Sequence, residues 1–431
     1  MTTATIPTDL VAPLFNPATF GIGKRDKVHE ILATIRRDYP LAKSAVPGFD
    51  PMWIVSRFND VREVLRNDEV FLSAVESKTL VPQSGKQLVE QYTGGQKNIL
   101  KTLVHMDGEE HARHRALTAP SFSPDGLKRL EAQIRDSAAR WIRVMDEKAP
   151  EMEFASEVAF RYPLEVMMDI VGAPREDHPR ILELVQWFFN FADPDLQRPG
   201  ADPTDPTEVV KTWDLVNAEF GKLYSSIIAD RRACPRDDIA SILANSEKHG
   251  CPMDPRTMIS YFLIFSSAGH DSAAATTATS MWHLAENPEL LQQLRADPKL
   301  IPSFVEEAIR WTSPVQQFIR TAGRDYEMNG QTIRKGDQLY VSYLSANFDE
   351  DVFPDPFTFK VDRRPNRHIT FGAGEHICVG ANLARTELRI FWEMLIPRLE
   401  SVELTAPARM AHSEFVCGPK EVPIRYKLLA A

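Results

Sequence analysis

The sequence predicts a mainly α, α+β chain, helix-rich with small β-sheets segregated from the helices. Three observations carry that expectation. From Ser123 to about Ala285, apolar residues recur at helical spacing with one interruption. Short β-prone runs stand apart from that region, in the first hundred residues and again after Ser313. No obvious internal repeat divides the 431 residues, a length that fits two or three ordinary domains or one large one. A chain of that length buries roughly three quarters of its unfolded surface and needs no disulfide to hold a core.

Taken in order, "MWIVSR" (Met52 to Arg57) is apolar, β-prone and preceded by Gly48 and Pro51, which predicts a strand. In "NDVREVLRND" the spacing of Val61, Val64 and Leu65 predicts a helix. "SFSPDGLKRLEAQIRDSAARWIRVM" opens the helical region. The aromatic run Trp187 to Phe191 leads into "ADPDLQRPGADPTDPTE", with Pro194, Pro199, Pro203 and Pro206. Roughly 15 irregular residues inside a compact chain fit a lid or binding loop, or equally the end of a core helix in a surface loop. Asp237 and Asp238 favour the N-terminus of a helix in "RRACPRDDIASILANSE".

"DPRTMISYFLIFSSAGHDSAAATTATSMWHLAENP" has Asp254 as a cap, Pro255 in its first turn and Pro288 as its stop. One helix of about 30 residues, ~45 Å long, is expected. Its centre, Ala268-Gly269-His270-Asp271-Ser272, is unusual for a buried helix. Glycine weakens it and an acid is costly to bury, unless that side is solvated. "IRTAGRDYEMNGQTIRKGDQLYVSY" reads as two short hairpins. A last helix begins near Val379, with Leu383, Leu388, Phe391 and Leu395 at helical spacing and Pro397 at its end.

A formal charge of −10 argues against nucleic acid as a main partner, since phosphate binding needs an electropositive face. "MTTATIPTDLVAPLFNP" has no basic n-region and no long apolar run. A soluble, cytoplasmic protein without a membrane partner is the expectation. Cys234, Cys251, Cys378 and Cys417 lie far apart with no CxxC pair, which argues against a zinc module or a disulfide framework.

One cysteine stands out. In "FGAGEHICVG", Gly372, Gly374 and Gly380 permit tight backbone turns and close approach to a flat ligand. Cys378 falls at a helix start, where free N–H groups favour a thiolate. A thiolate so placed can ligate the metal of a planar macrocycle, haem iron being the known case. A buried, inert cysteine is the alternative for any lone cysteine beside glycines.

The spacing Phe371-x-x-Gly374-x-x-x-Cys378-x-Gly380 resembles the haem-binding signature of the cytochrome P-450 superfamily. The resemblance covers nearly the whole chain and implies one large helix-rich domain over 1–431. It looks closest to soluble bacterial members, particularly the subgroup that hydroxylates α-terpineol. It implies haem b with Cys378 as axial ligand, packed by Phe371 and bordered by Gly372 and Gly380. His111 and Arg115 in "MDGEEHARHRALTAPSF", Arg320 in "FIRTA" and His376 match haem-propionate partners. Glu307-x-x-Arg310 resembles the family's core ion pair, completed by Arg364 or its neighbour Arg363, with His368 near the haem loop. Where the family often has Asn-Arg-Asp, this chain has Asn347-Phe348-Asp349.

The resemblance also assigns the central helix. Gly269 would widen its groove for dioxygen over the distal haem face, which Ala268 borders. Asp271 would link bulk water to the site. Ser272 stands where threonine is usual and keeps the hydroxyl. By helical spacing Phe265, Ala268 and Ser272 share a face; Phe318, Phe415 and Val416 match further substrate-contacting segments, and Val75 to Leu103 match the variable substrate loop. The implied function is a haem-thiolate monooxygenase acting with O2 on a small apolar substrate, a monoterpenoid or aromatic hydrocarbon. No fused flavin or iron–sulfur sequence is present. Electrons from NAD(P)H would therefore come through a ferredoxin reductase and a ferredoxin, docked on a basic patch that includes Arg113. The alternatives are a peroxide-driven haem enzyme and a non-catalytic haem sensor.

Overall fold

Met52–Val55 is apolar at every position, and all four residues are buried. Such a run suits a strand covered on both faces. In the computed structural model, which describes residues 4–21 and 26–430, it lies inside a five-stranded sheet. The order is Leu41–Ser44, Met52–Val55, Gln338–Ser342, Gln317–Ala322, Phe71–Leu72. Only the pair Met52–Val55 with Gln338–Ser342 is parallel. Because side chains alternate, Met52 and Ile54 join one apolar cluster with Leu14, Phe15 and Phe20 of the N-terminal stretch. Trp53 and Val55 join another with Val61, Val64 and Leu65 of the predicted helix, here Phe58–Arg66. Met1 to Thr3 of that N-terminal stretch lie outside the described residues.

The helices form the largest core. Ser123 caps Pro124–Lys148, its Oγ accepting from the Gly126 N–H at 3.1 Å; such a cap contributes about 1 kcal/mol. Asp238 caps Ile239–Ala244 in the same way, accepting from Ser241 N–H at 2.7 Å. The last helix is Ala381–Leu395, and Leu383, Leu388, Phe391 and Leu395 are all buried. Each such side chain stabilises by roughly 1.5–3 kcal/mol.

Three features differ from the sequence expectation. The strand Glu151–Glu153 interrupts the helical region and pairs with Pro423–Leu428, some 270 residues away in the chain. The two expected hairpins are nested: Tyr326–Met328 and Gln331–Ile333 form one inside the antiparallel pair Gln317–Ala322 and Gln338–Ser342. The single long helix is two, Pro255–Ala268 and Asp271–Glu286. At the break the Gly269 N–H turns back to Ser267 O, and His270 takes φ −115°, ψ −61°.

The proline-rich stretch joins helices His178–Phe189 and Pro206–Ala233 without regular structure. It is anchored: Asp193 is buried, accepts from Lys420 Nζ at 2.9 Å and takes the His412 N–H at 2.8 Å. Among the described residues, no helix is long and apolar enough to cross a membrane.

Candidate active site

Phe371 O accepts from the Cys378 N–H at 2.8 Å, which closes the glycine loop on itself. Gly372 and Gly374 have φ of +77° and +73°, a conformation that strains any other residue. A side chain at 374 would also run into the Leu65 carbonyl. The helix begins at Ala381, just beyond Gly380 and two residues later than the spacing suggests. Cys378 lies deep among protein atoms yet presents accessible surface, so it lines a cleft. Burial pushes its thiol up, against the Gly380 N–H and the guanidiniums of Arg115 and Arg385. The helix start therefore does not by itself yield a thiolate. A coordinated metal cation would, since it deprotonates a thiol outright.

Around this cleft the structure gathers basic side chains. His111 and Arg115 stand on helix Gly108–Thr118, Arg320 on strand Gln317–Ala322, and His376 in the cysteine loop. The His111 and His376 rings lie 4.1 Å apart. Burial, then His376 and Arg115, bring His111 down to about 4, and its buried Nε2 has no hydrogen-bond partner. Arg320 is 5% exposed, donates to Ile319 O at 3.2 Å, and pairs with no carboxylate among the described residues. A planar macrocycle bearing two carboxylates, with a metal for the thiolate, suits this donor set. Asp107, absent from the sequence reading, lies 3.6 Å from His376 Nε2 and accepts from Ser73 and Ala74 N–H at 2.8 and 2.7 Å. Lys78, inside the expected substrate segment, is buried beside Arg320.

The central break supplies the other wall. Ser272 Oγ donates to Ala268 O at 3.2 Å, and Ala268 presents accessible surface. Asp271 Oδ1 lies 2.9 Å from Nδ1 of the fully buried His270. At Gly269 a Cβ would meet Met167 Sδ at 2.6 Å, so this glycine lets a neighbouring helix approach. Phe265 shares a face with Ala268 but is buried in the main core, its ring centroid 5.8 Å from Phe122 and 6.0 Å from Tyr261. Phe318 and Phe415 meet edge to face at 5.3 Å, and Val416 bridges Val315. Gly418 then abuts Ala275 of the central helix, which carries the Phe415–Val416 segment to it.

Beneath the cysteine loop, Glu307 and Arg310 are both fully buried. Glu307 accepts from Arg310 Nε and Nη2 at 2.8 Å, Arg363 Nε at 3.1 Å, Lys360 N–H at 3.0 Å and Asn366 Nδ2 at 3.0 Å. Of the two candidate arginines, Arg363 joins the network and Arg364 is exposed. Asn347 extends it, donating to Thr370 Oγ1 and accepting from the Ile369 N–H, both at 2.8 Å. Phe348, at the position where an arginine is common, instead lies against the Arg310 guanidinium, 5.0 Å from ring centroid to carbon. His368 pairs with Glu306 at 3.1 Å, and Arg385 joins that carboxylate and covers the Phe371 ring at 4.5 Å.

The cytochrome P450 family model matches residues 11–425. Cytochrome P450-terp of a Pseudomonas species is 37% identical over 423 residues, 98% of either chain. A methyl-branched lipid omega-hydroxylase of Mycobacterium tuberculosis is 32% identical over 405 residues, covering 91% of this chain and 90% of that one. The crystal structure of CYP108D1 from Novosphingobium aromaticivorans superposes with a TM-score of 0.90 at 36% identity, over 99% of this chain and 100% of its own.

Proposed function

The chain belongs to the cytochrome P450 family of haem-dependent monooxygenases, and from that premise we propose that it hydroxylates a compact, uncharged apolar molecule with electrons delivered by a ferredoxin. The carrying observation is Cys378, deep and accessible at the end of a glycine loop held by its own backbone bonds and supported by the Glu307 network. Haem b, bound through the Cys378 thiolate, supplies the activation of dioxygen.

The chain's own residues divide the remaining work. His111, Arg115, Arg320 and His376 bind the haem carboxylates. Phe371 shields the thiolate under the Arg385 guanidinium, and Gly372 and Gly380 keep the loop close to the macrocycle. Ala268 and Ser272 face the reacting side. Ser272, anchored on the Ala268 carbonyl, holds a proton-carrying water, and Asp271 exchanges protons with solvent. Gly269 acts in this reading through the helix break and the Met167 contact, as a positioning residue. Residues 1–431 act as one domain.

For the substrate, Phe318, Phe415 and Val416 offer packing and no charge, and Phe265 is a further apolar candidate on the face it shares with Ala268. Affinity then comes from buried apolar area, about 25 cal/mol per Å² before association costs. The similarity to P450-terp supports a monoterpenoid or small aromatic hydrocarbon. The lipid hydroxylase among the relatives favours a second reading, a branched aliphatic chain. Titrating monoterpenes, alkylbenzenes and fatty acids against the ferric haem spectrum decides: binding by fatty acids alone would select the second. A ferredoxin supplied through an NAD(P)H-dependent reductase completes the reading, with the chain working in the cytoplasm. The exposed Arg113, on the same helix as His111 and Arg115, is the docking candidate. Loss of turnover without ferredoxin tests this; equal turnover with peroxide alone would favour the peroxide-driven alternative.

A further inference from the structure

Lys78 is among the largest fully buried side chains, at 2% exposure. An ammonium has three donors and holds its charge in the interior only with a compensating partner. Nζ donates to Ile319 O at 3.3 Å, and no carboxylate of the described residues lies within ion-pair distance. The strand below is tied to the same residue, Ile319 N–H donating to Lys78 O at 2.8 Å, so the backbone fixes where the side chain starts. Its charged surroundings are Arg320, Asp107 and Glu76. Asp107 is already engaged by two backbone N–H groups and faces His376, while Glu76 lies 3.9 Å from both Lys86 and Lys97. Burial, then Arg320, drives the Lys78 ammonium well below its ordinary range.

Two buried cations side by side, Lys78 and Arg320, without a carboxylate between them, call for an anion from outside the chain. On this side of the site neither Lys78 nor Arg320 has an ion-pair carboxylate among the described residues, which suits a carboxylate of haem b.

We propose that Lys78 is a carboxylate-binding residue of the haem site: together with Arg320 it holds one haem propionate. The proposal rests on the haem placement proposed for this cleft and adds a ligand from the segment otherwise read as substrate loop. It makes the fold of residues 73–78 part of the cofactor site, because Ser73 and Ala74 wrap Asp107 and Lys78 closes over Ile319.

The test is a double-mutant cycle between the side chain and the carboxylate. Full-length wild type, Lys78→Met and Lys78→Gln are loaded with protohaem or with its dimethyl ester. Haem release is then followed by transfer to excess apomyoglobin. Esterification is expected to speed release from the wild type by a factor at least tenfold larger than in either variant. An equal factor in all three proteins would overturn the proposal and leave Lys78 as a strand-pinning residue. Lys78→Arg, which keeps a cation, is expected to retain part of the wild-type factor; complete loss in Lys78→Arg together with normal melting would also count against it. A substrate carboxylate is the other source of the same chemistry. It would appear as weakened binding of a monoterpenoid acid, but not its alcohol, in Lys78→Met with an unchanged ester factor, and would overturn the propionate assignment. A wild type without the thiolate spectrum of the reduced carbon monoxide complex would instead overturn the haem placement itself.

Discussion

Replacing Glu307 with alanine strips the acceptor from five donor nitrogens at once. Three of them belong to the guanidiniums of Arg310 and Arg363, which are 0% and 7% exposed. Breaking a buried ion pair by removing one partner costs about 3–5 kcal/mol, because the remaining charge stays desolvated. For 431 residues the unfolding entropy near 60 °C is roughly 0.9 kcal/mol per kelvin. The melting temperature of the haem-loaded protein should therefore fall by about 3–6 °C. An exposed pair would cost about 1 kcal/mol or less and move it by about 1 °C. The loss should also reach the cofactor. Arg310 holds the Asn347 carbonyl at 2.8 Å, and Asn347 in turn holds Ile369 and Thr370, immediately before Phe371. Calorimetry paired with the carbon monoxide spectrum measures both. A soluble Glu307→Ala protein with unaltered melting and full haem would refute the view that this network supports the cysteine loop.

Cys378→Ala should abolish the thiolate-type spectrum, whereas replacing Cys234, Cys251 or Cys417 should leave it intact; the same reduced carbon monoxide spectrum checks all four. Ser272→Ala removes a hydroxyl and little volume, so haem and substrate binding should hold while hydrogen peroxide rises and product per NAD(P)H falls. Equal coupling in both proteins would remove Ser272 from proton delivery. Burial acts against the Glu306 carboxylate, but His368 and Arg385 hold it down to about 2, from an ordinary 4.5. A depressed carboxylate stabilises the fold above its unfolded value and loses that contribution as pH falls through the folded one. Acid unfolding between pH 4.5 and about 2 should therefore flatten in Glu306→Gln, and an unchanged acid limb would contradict the pairing.

Much of this architecture was written locally. The cysteine loop could be recognised because Gly372 and Gly374 occupy left-handed backbone, a demand that one residue type answers. The last helix could be recognised because its buried residues repeat at helical spacing. What escaped depends on distant partners. Glu151–Glu153 is a strand only because Pro423–Leu428 lies beside it. The break at Gly269–His270 leaves helical periodicity intact on both sides, and Met167, which occupies the space at Gly269, is a hundred residues earlier. Phe265 keeps the phase of the pocket face yet turns into the core against Phe122. Adjacent arginines at 363 and 364 differ only in which one points inward, a matter of backbone direction. Lysine is almost always a surface residue, so Lys78 carried no sign of burial in its own letters.

The central claim is that the chain inserts one atom of dioxygen into a small apolar molecule at a haem held by Cys378. The most direct measurement supplies the purified protein with NAD(P)H, ferredoxin reductase, ferredoxin and a monoterpene under isotopically labelled dioxygen, with catalase present to remove peroxide. The account predicts a hydroxylated product carrying one labelled oxygen atom, lost in Cys378→Ala and absent without ferredoxin. Product carrying unlabelled oxygen, or equal product from Cys378→Ala, would contradict it.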